Sequence, residues 1–286
     1  MCCARGALRP RVSVSCDEIA HLASEKVWQG VMIALVASLV ALGALIPPVK
    51  PVDTLTSGLA SIARLPFGTD VADEFKETEH DVPPAEDLIL YDVEGNALCR
   101  RVRETITYLD LCCTIKPCAD GSRHRGEAAA LSGKSFPFLV DNAAGVSIEG
   151  SQSICDHLME EYGSYIEPLE PPPILLLALP DLFRWERGQT VPPAMRGKSP
   201  PAKPLKLYSY EGNQFCRLVR EVLCELDLPY ELRSTGKGSS RREELKELSG
   251  KTTAPYLIDP NSGTAMGESA DIVKYLLSTY SSYPTS

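Results

Sequence analysis

No CxxC pair occurs anywhere in this 286-residue chain, although it holds ten cysteines. That absence excludes the CxxC dithiol motif, and with only four scattered histidines it also excludes the usual zinc signatures. No metal site is expected. The cysteines are unevenly spaced and several fall inside helical or strand patterns, so they do not read as a disulfide framework. Reduced thiols in a reducing compartment are the expectation. An excess of positive charge is missing too: the net charge is −9, whereas a general nucleic-acid binder needs a basic face. Basic residues do cluster locally, at Arg100, Arg101 and Arg103 and at Arg217 and Arg220. They read as solvated faces, with help in binding a small anion as the alternative. Hydrophobic and charged contents are ordinary, so a packed core is affordable and global disorder is not expected.

The first third of the chain is unlike the rest. Residues 1–26 open with "MCCARGALRPRVSVSC", rich in Arg, Ser, Ala and Cys and without an acid before Asp17. This is transit-peptide composition, most like a chloroplast one, and a plain disordered terminus is its competitor. Val27 to Ile46 then runs for twenty residues with only Gln29 and Ser38 polar. As a helix it would reach about 30 Å, one hydrocarbon thickness. Trp28 sits at one end and Pro47 and Pro48 stop it. The expectation is a single transmembrane helix over 27–48, followed by a tether over 49–86.

The remainder repeats itself. "EGNALCRRVRE" begins at Glu94 and "EGNQFCRLVRE" at Glu211, an offset of 117, and Pro137 and Pro255 are 118 apart. One inserted residue accounts for the difference, so a whole domain is duplicated rather than a short solenoid unit. Each copy reads as strand, amphipathic helix, strand, charged helix, a hairpin of two short strands, and a last helix ending at Tyr162 or Tyr280. Asn96 and Asn213 stand where helix N-caps belong. The order βαβ, α, ββα predicts an α/β fold: two tandem domains, 87–164 and 205–286, each a mixed four-stranded sheet with flanking helices. A proline-rich linker over 165–204 joins them. Cys112, Cys113 and Cys118 bracket a strand, where neighbours face opposite ways, and Cys155 and His157 read as a plain helix face.

The strand, turn and cysteine-bearing helix, the bend before Pro137 and Pro255, and the "ES" that opens the last helix resemble the thioredoxin fold. More narrowly they are similar to glutaredoxins and to the N-terminal domain of glutathione S-transferases. The tandem arrangement resembles a two-domain family of plant and algal plastids. The resemblance covers Leu88 to the C-terminus. It implies cis bonds at Phe136–Pro137 and Ala254–Pro255, whose backbone would pair with glutathione. It implies that Glu268 and Ser269 receive the γ-glutamyl end, whereas Gly150 and Ser151 in the first copy lack the acid. The attacking cysteine of such proteins is replaced here by Asn96 and Asn213. Cys99 and Cys216 match the second, less exposed thiol, and read as buried helix residues.

An amide is not a nucleophile at neutral pH, so thiol exchange through this motif is expected to be lost or weak. Neither copy is followed by room for the helical domain of a full transferase. The expected function is therefore glutathione binding, or binding of a similar small anion, with any ligand placed in the second copy. Two alternatives stand beside it. One is a non-catalytic interaction subunit of a plastid membrane complex at the thylakoid or envelope. The other is a glutathione-dependent oxidoreductase working with a single thiol, Cys99 or Cys216.

Overall fold

The computed structural model describes residues 51–62, 67–76, 83–163, 165–167, 169, 184, 187–193, 195 and 201–282. All of them lie in one compact unit, Pro47–Ser286. Helix α1, Pro51–Ile62, comes first. The first repeat then runs β1 (Leu88–Asp92), α2 (Ala97–Tyr108), β2 (Cys113–Pro117), α3 (His124–Ala130), β3 (Phe138–Asp141), β4 (Val146–Glu149) and α4 (Ser151–Tyr162). The second repeats this order as β5 (Leu205–Ser209), α5 (Gln214–Glu225), β6 (Tyr230–Ser234), α6 (Arg241–Ser249), β7 (Tyr256–Asp259), β8 (Thr264–Gly267) and α7 (Ser269–Tyr280).

The element order matches the one expected from the sequence, but the sheet does not stop where each repeat stops. The strands form one eight-stranded sheet, ordered β4-β3-β1-β2-β6-β5-β7-β8. Within each repeat the first two strands are parallel and the rest antiparallel. The seam is β2 against β6, antiparallel, with Cys113 opposite Leu232 and Ile115 opposite Tyr230. A bare β2 edge carries unpaired N–H and C=O groups, and the second repeat supplies their partners. One hydrophobic core crosses the seam, from Leu88, Leu90 and Ile106 to Leu207, Val219 and Val222. The two separate four-stranded sheets of the sequence analysis are thus corrected to one. The membrane-spanning helix is corrected as well. Among the described residues no helix is long and apolar enough to cross a membrane, and residues 27–48, on which that expectation fell, lie outside them.

The last helix of each repeat is pinned by a buried aspartate at the end of a hairpin strand. Asp141 accepts from Tyr162 Oη at 2.7 Å and pairs with His157 Nε2 at 2.9 Å. Asp259 accepts from Tyr275 Oη at 2.6 Å and Tyr280 Oη at 2.5 Å. Helices α4 and α7 are thereby fixed, and their N-termini follow directly from β4 and β8.

Candidate functional site and the turns that build it

Sheet register gathers the candidate residues at one end of the sheet. In the second repeat Tyr208, Tyr256 and Gly267 form a row across β5, β7 and β8. Just beyond that row lie the turn to Asn213, the Ala254–Pro255 bond, and Glu268 with Ser269. The equivalent row in the first repeat is Tyr91, Phe138 and Glu149, and beyond it lie Asn96, Phe136–Pro137 and Ser151. Both X–Pro bonds are cis. Glu268 stands at φ 63, in the left-handed region that a side-chain-bearing residue occupies rarely. Gly150 takes the same place in the first repeat at φ 91. The two repeats differ in exposure here: Glu268 is exposed and Ser269 half-buried, whereas Ser151 is buried.

The two asparagines are helix caps. Asn213 Oδ1 accepts from the Phe215 and Cys216 amides at 2.8 and 3.0 Å, and its Nδ2 donates to Tyr210 Oη at 3.0 Å. Asn96 Oδ1 accepts from the Leu98 and Cys99 amides at 2.8 and 3.2 Å. These are N–H groups that would otherwise stabilise a thiolate or receive an anion at the helix N-terminus. Cys99 and Cys216 are each 0% exposed. Burial pushes the Cys99 thiol well up and raises Cys216 too, the latter against the pull of Arg220. The seven cysteines among the described residues are all free and buried, and no cluster of metal-ligating side chains occurs among those residues. Leu98 and Phe215, two residues past each cap, remain 49% and 41% exposed. Among the described residues no thiol is accessible at this end of the sheet.

The arginines are where the structure departs furthest from the solvated faces expected of them. Arg100, Arg103, Arg217 and Arg220 are all buried, packed between the repeats. Arg103 makes two bonds to Asp92 at 2.7 and 2.6 Å within its own repeat, and reaches across to Glu211 at 2.9 Å. Arg220 bonds Ser209 at 3.2 Å within its own repeat and reaches across to Glu94 at 3.0 Å. It also meets Glu211 at 2.7 Å. The exchange is reciprocal, since Glu94 and Glu211, like Arg103 and Arg220, are equivalent in the repeat. Burial opposes the charge on Glu211, but Arg103 and Arg220 outweigh it and hold the carboxyl at about 2. At Glu94 burial wins over the same two arginines and the value is raised.

A second exchange reinforces the first. Asp110 at the end of α2 accepts from Ser239 Oγ at 2.9 Å and pairs with Arg241 at 2.7 Å. Asp227 at the end of α5 accepts from Ser122 Oγ at 2.6 Å and Arg123 Nε at 2.7 Å. A third comes from parts of the segments expected to be tether and linker. Gly68 O accepts from the Gly212 amide at 2.6 Å, and residues 69–71 bond Lys237. Gly188 O accepts from the Gly95 amide at 3.2 Å, and residues 189–191 bond Asp120. The short strap ahead of each repeat therefore clasps the other repeat. The repeated phrase supplies both partners of the first exchange: its Glu and its last Arg recur at one offset, and each Glu is bound by the Arg of the other copy.

Residues 90–171 and 207–284 both match the glutathione S-transferase N-terminal domain family. The chain belongs to that family. The two matches together cover more than half of it, and they coincide with the two repeats of the sheet. No curated protein and no solved structure matches the chain.

Proposed function

We propose that this tandem protein binds glutathione in the groove of its second repeat and has lost, or nearly lost, thiol transfer. The observation that carries the reading is the pair of capping asparagines. Each occupies the position where the family's attacking cysteine would stand, and spends its oxygen on the helix amides. The nearest thiols are buried and held protonated. Support for the second repeat comes from its exposed Glu268, held at positive φ beside Ser269 and the cis Ala254–Pro255 bond. The backbone before Pro255 would pair with the tripeptide's own backbone, and the start of α7 would receive its γ-glutamyl end.

Calorimetry on the full chain with reduced glutathione tests this. Saturable heat that weakens in Glu268→Ala is expected, with no turnover in a mixed-disulfide reduction assay. No heat at millimolar glutathione would defeat the reading and leave a non-catalytic interaction module as the better account. Turnover lost in Cys216→Ser would replace it with a single-thiol oxidoreductase. A chloroplast location is proposed on the composition of residues 1–16 alone, and fractionation of plastids tests it.

A further inference from the structure

The turn that delivers Asn213 to this end of the sheet is held by both repeats, and the first supplies partners for its two central amides. Glu211 N donates to Thr107 Oγ1 of α2 at 3.3 Å, and Gly212 N donates to Gly68 O of the strap at 2.6 Å. The Glu211 carboxylate is bound by Arg103 of α2 at 2.9 Å. Arg220, from the same repeat as the turn, takes Tyr210 O at 3.1 Å and Glu211 O at 3.4 Å, while its own guanidinium is oriented by Glu94 of the first repeat. The strap fits without spare room: a Cβ on Gly212 would lie 2.9 Å from Gly68 O and closer still to Thr69 Oγ1. The opposite wall of the groove, Ala254–Pro255 and Glu268, is positioned by β7 and β8 of the second repeat itself.

We infer that the groove of the second repeat is completed from the first: Arg103, Thr107 and the strap at Gly68–Thr69 are positioning elements that set where Asn213 and the start of α5 stand relative to Pro255. None of them needs to touch the ligand, and Arg103 is 1% exposed. The physical reason is that both amides of the turn ahead of the cap donate to groups of the first repeat or its strap. Without those partners the turn is free to relax, and the cap moves with it. This inference rests on the glutathione-binding reading for its functional consequence, though not for its structural one.

Two variants of the full chain test it, Arg103→Met and Gly212→Ala. The first removes a cross-repeat charge partner and the second ejects the strap without altering charge. Each is expected to weaken reduced glutathione about tenfold, the size of coupling seen within one hydrogen-bonded network. Amide exchange should accelerate at Phe215 and Cys216, whose N–H groups the cap holds, by a larger factor than at Leu257 and Ile272, which report the stability lost with the buried pair. Arg103→Lys is expected to recover part of the loss. Wild-type affinity together with wild-type exchange in a folded variant would overturn the inference. Uniform acceleration that includes Leu257 and Ile272 would also overturn it, since that marks general destabilisation. Should Arg103→Met fail to fold, Gly212→Ala decides. Should the wild type show no glutathione binding, that reading fails by itself, and exchange at Phe215 and Cys216 still decides whether the first repeat positions the turn.

Discussion

Arg217 and Arg220 lie three residues apart on α5, both buried, yet their surroundings differ sharply. Arg220 satisfies its guanidinium on Glu94, Glu211, Ser209 and two backbone carbonyls. Arg217 has a long 3.4 Å bond to Ser57 O, and burial, with Arg100 and Arg220 beside it, brings it down to about 10. Removing one partner of a buried pair strands the others, whereas an apolar replacement for a poorly partnered charge is often neutral or better. Arg220→Met is therefore expected to cost about 3–5 kcal/mol, the range for a broken buried pair. Arg217→Met is expected to leave the melting temperature unchanged or raised, and thermal unfolding of the two variants side by side checks both. Neither difference was legible in the chain. On α5 the apolar residues Leu218, Val219, Val222 and Leu226 mark one face, and helical periodicity assigns the remaining charged face to water. It cannot tell solvent from a second repeat bearing the complementary charges.

At the scale of the element, the N-terminus of α5 sets the chemistry. Its cap was legible because an asparagine ahead of an amphipathic run has a local meaning, and the cap bonds span only two and three residues. Asn213→Ala is expected to lose about 0.5–2 kcal/mol, as helix caps do, measured by denaturant unfolding. Asn213→Cys returns a thiol to the helix N-terminus and frees the Phe215 and Cys216 amides to stabilise its thiolate. That thiolate should attack glutathione disulfide, forming a protein–glutathione disulfide and releasing one glutathione thiolate. Mass spectrometry is expected to find the adduct on Asn213→Cys at neutral pH while Cys216 of the native wild type stays unmodified. An unreactive Asn213→Cys would count against a glutathione groove at this end of the sheet.

For the whole molecule, the interlocked repeats predict a shared fate. Residues 201–286 alone would bare the β6 edge and strand Glu211 and Arg220, so they are not expected to unfold as a cooperative monomer, which circular dichroism and light scattering check. Acid should act through the same seam. Glu211 is held at about 2 in the folded chain against an ordinary value of 4.5, so its contribution is present above about pH 4.5 and is lost as pH falls toward 2. Glu221 and Asp259 are also lowered and add to the loss. Glu94 is raised and has the opposite sign, since protonating it on acidification favours the folded state. The fall in stability is expected below about pH 4.5, and Glu211→Gln should flatten it in pH-dependent denaturant melts. The amino-acid sequence by itself determined the duplication, the order of strands and helices in each copy, the capping asparagines and the absence of a cysteine at those helix starts. Each of these depends on residues a few positions apart or on a repeated pattern. Only the tertiary structure decided that two sheets become one, that the arginines of α2 and α5 meet the glutamate ahead of the opposite helix rather than water, and that each strap crosses to the opposite repeat. Those are pairings between groups far apart in the chain, from tens of residues to well over a hundred, and nothing in either group alone names its partner.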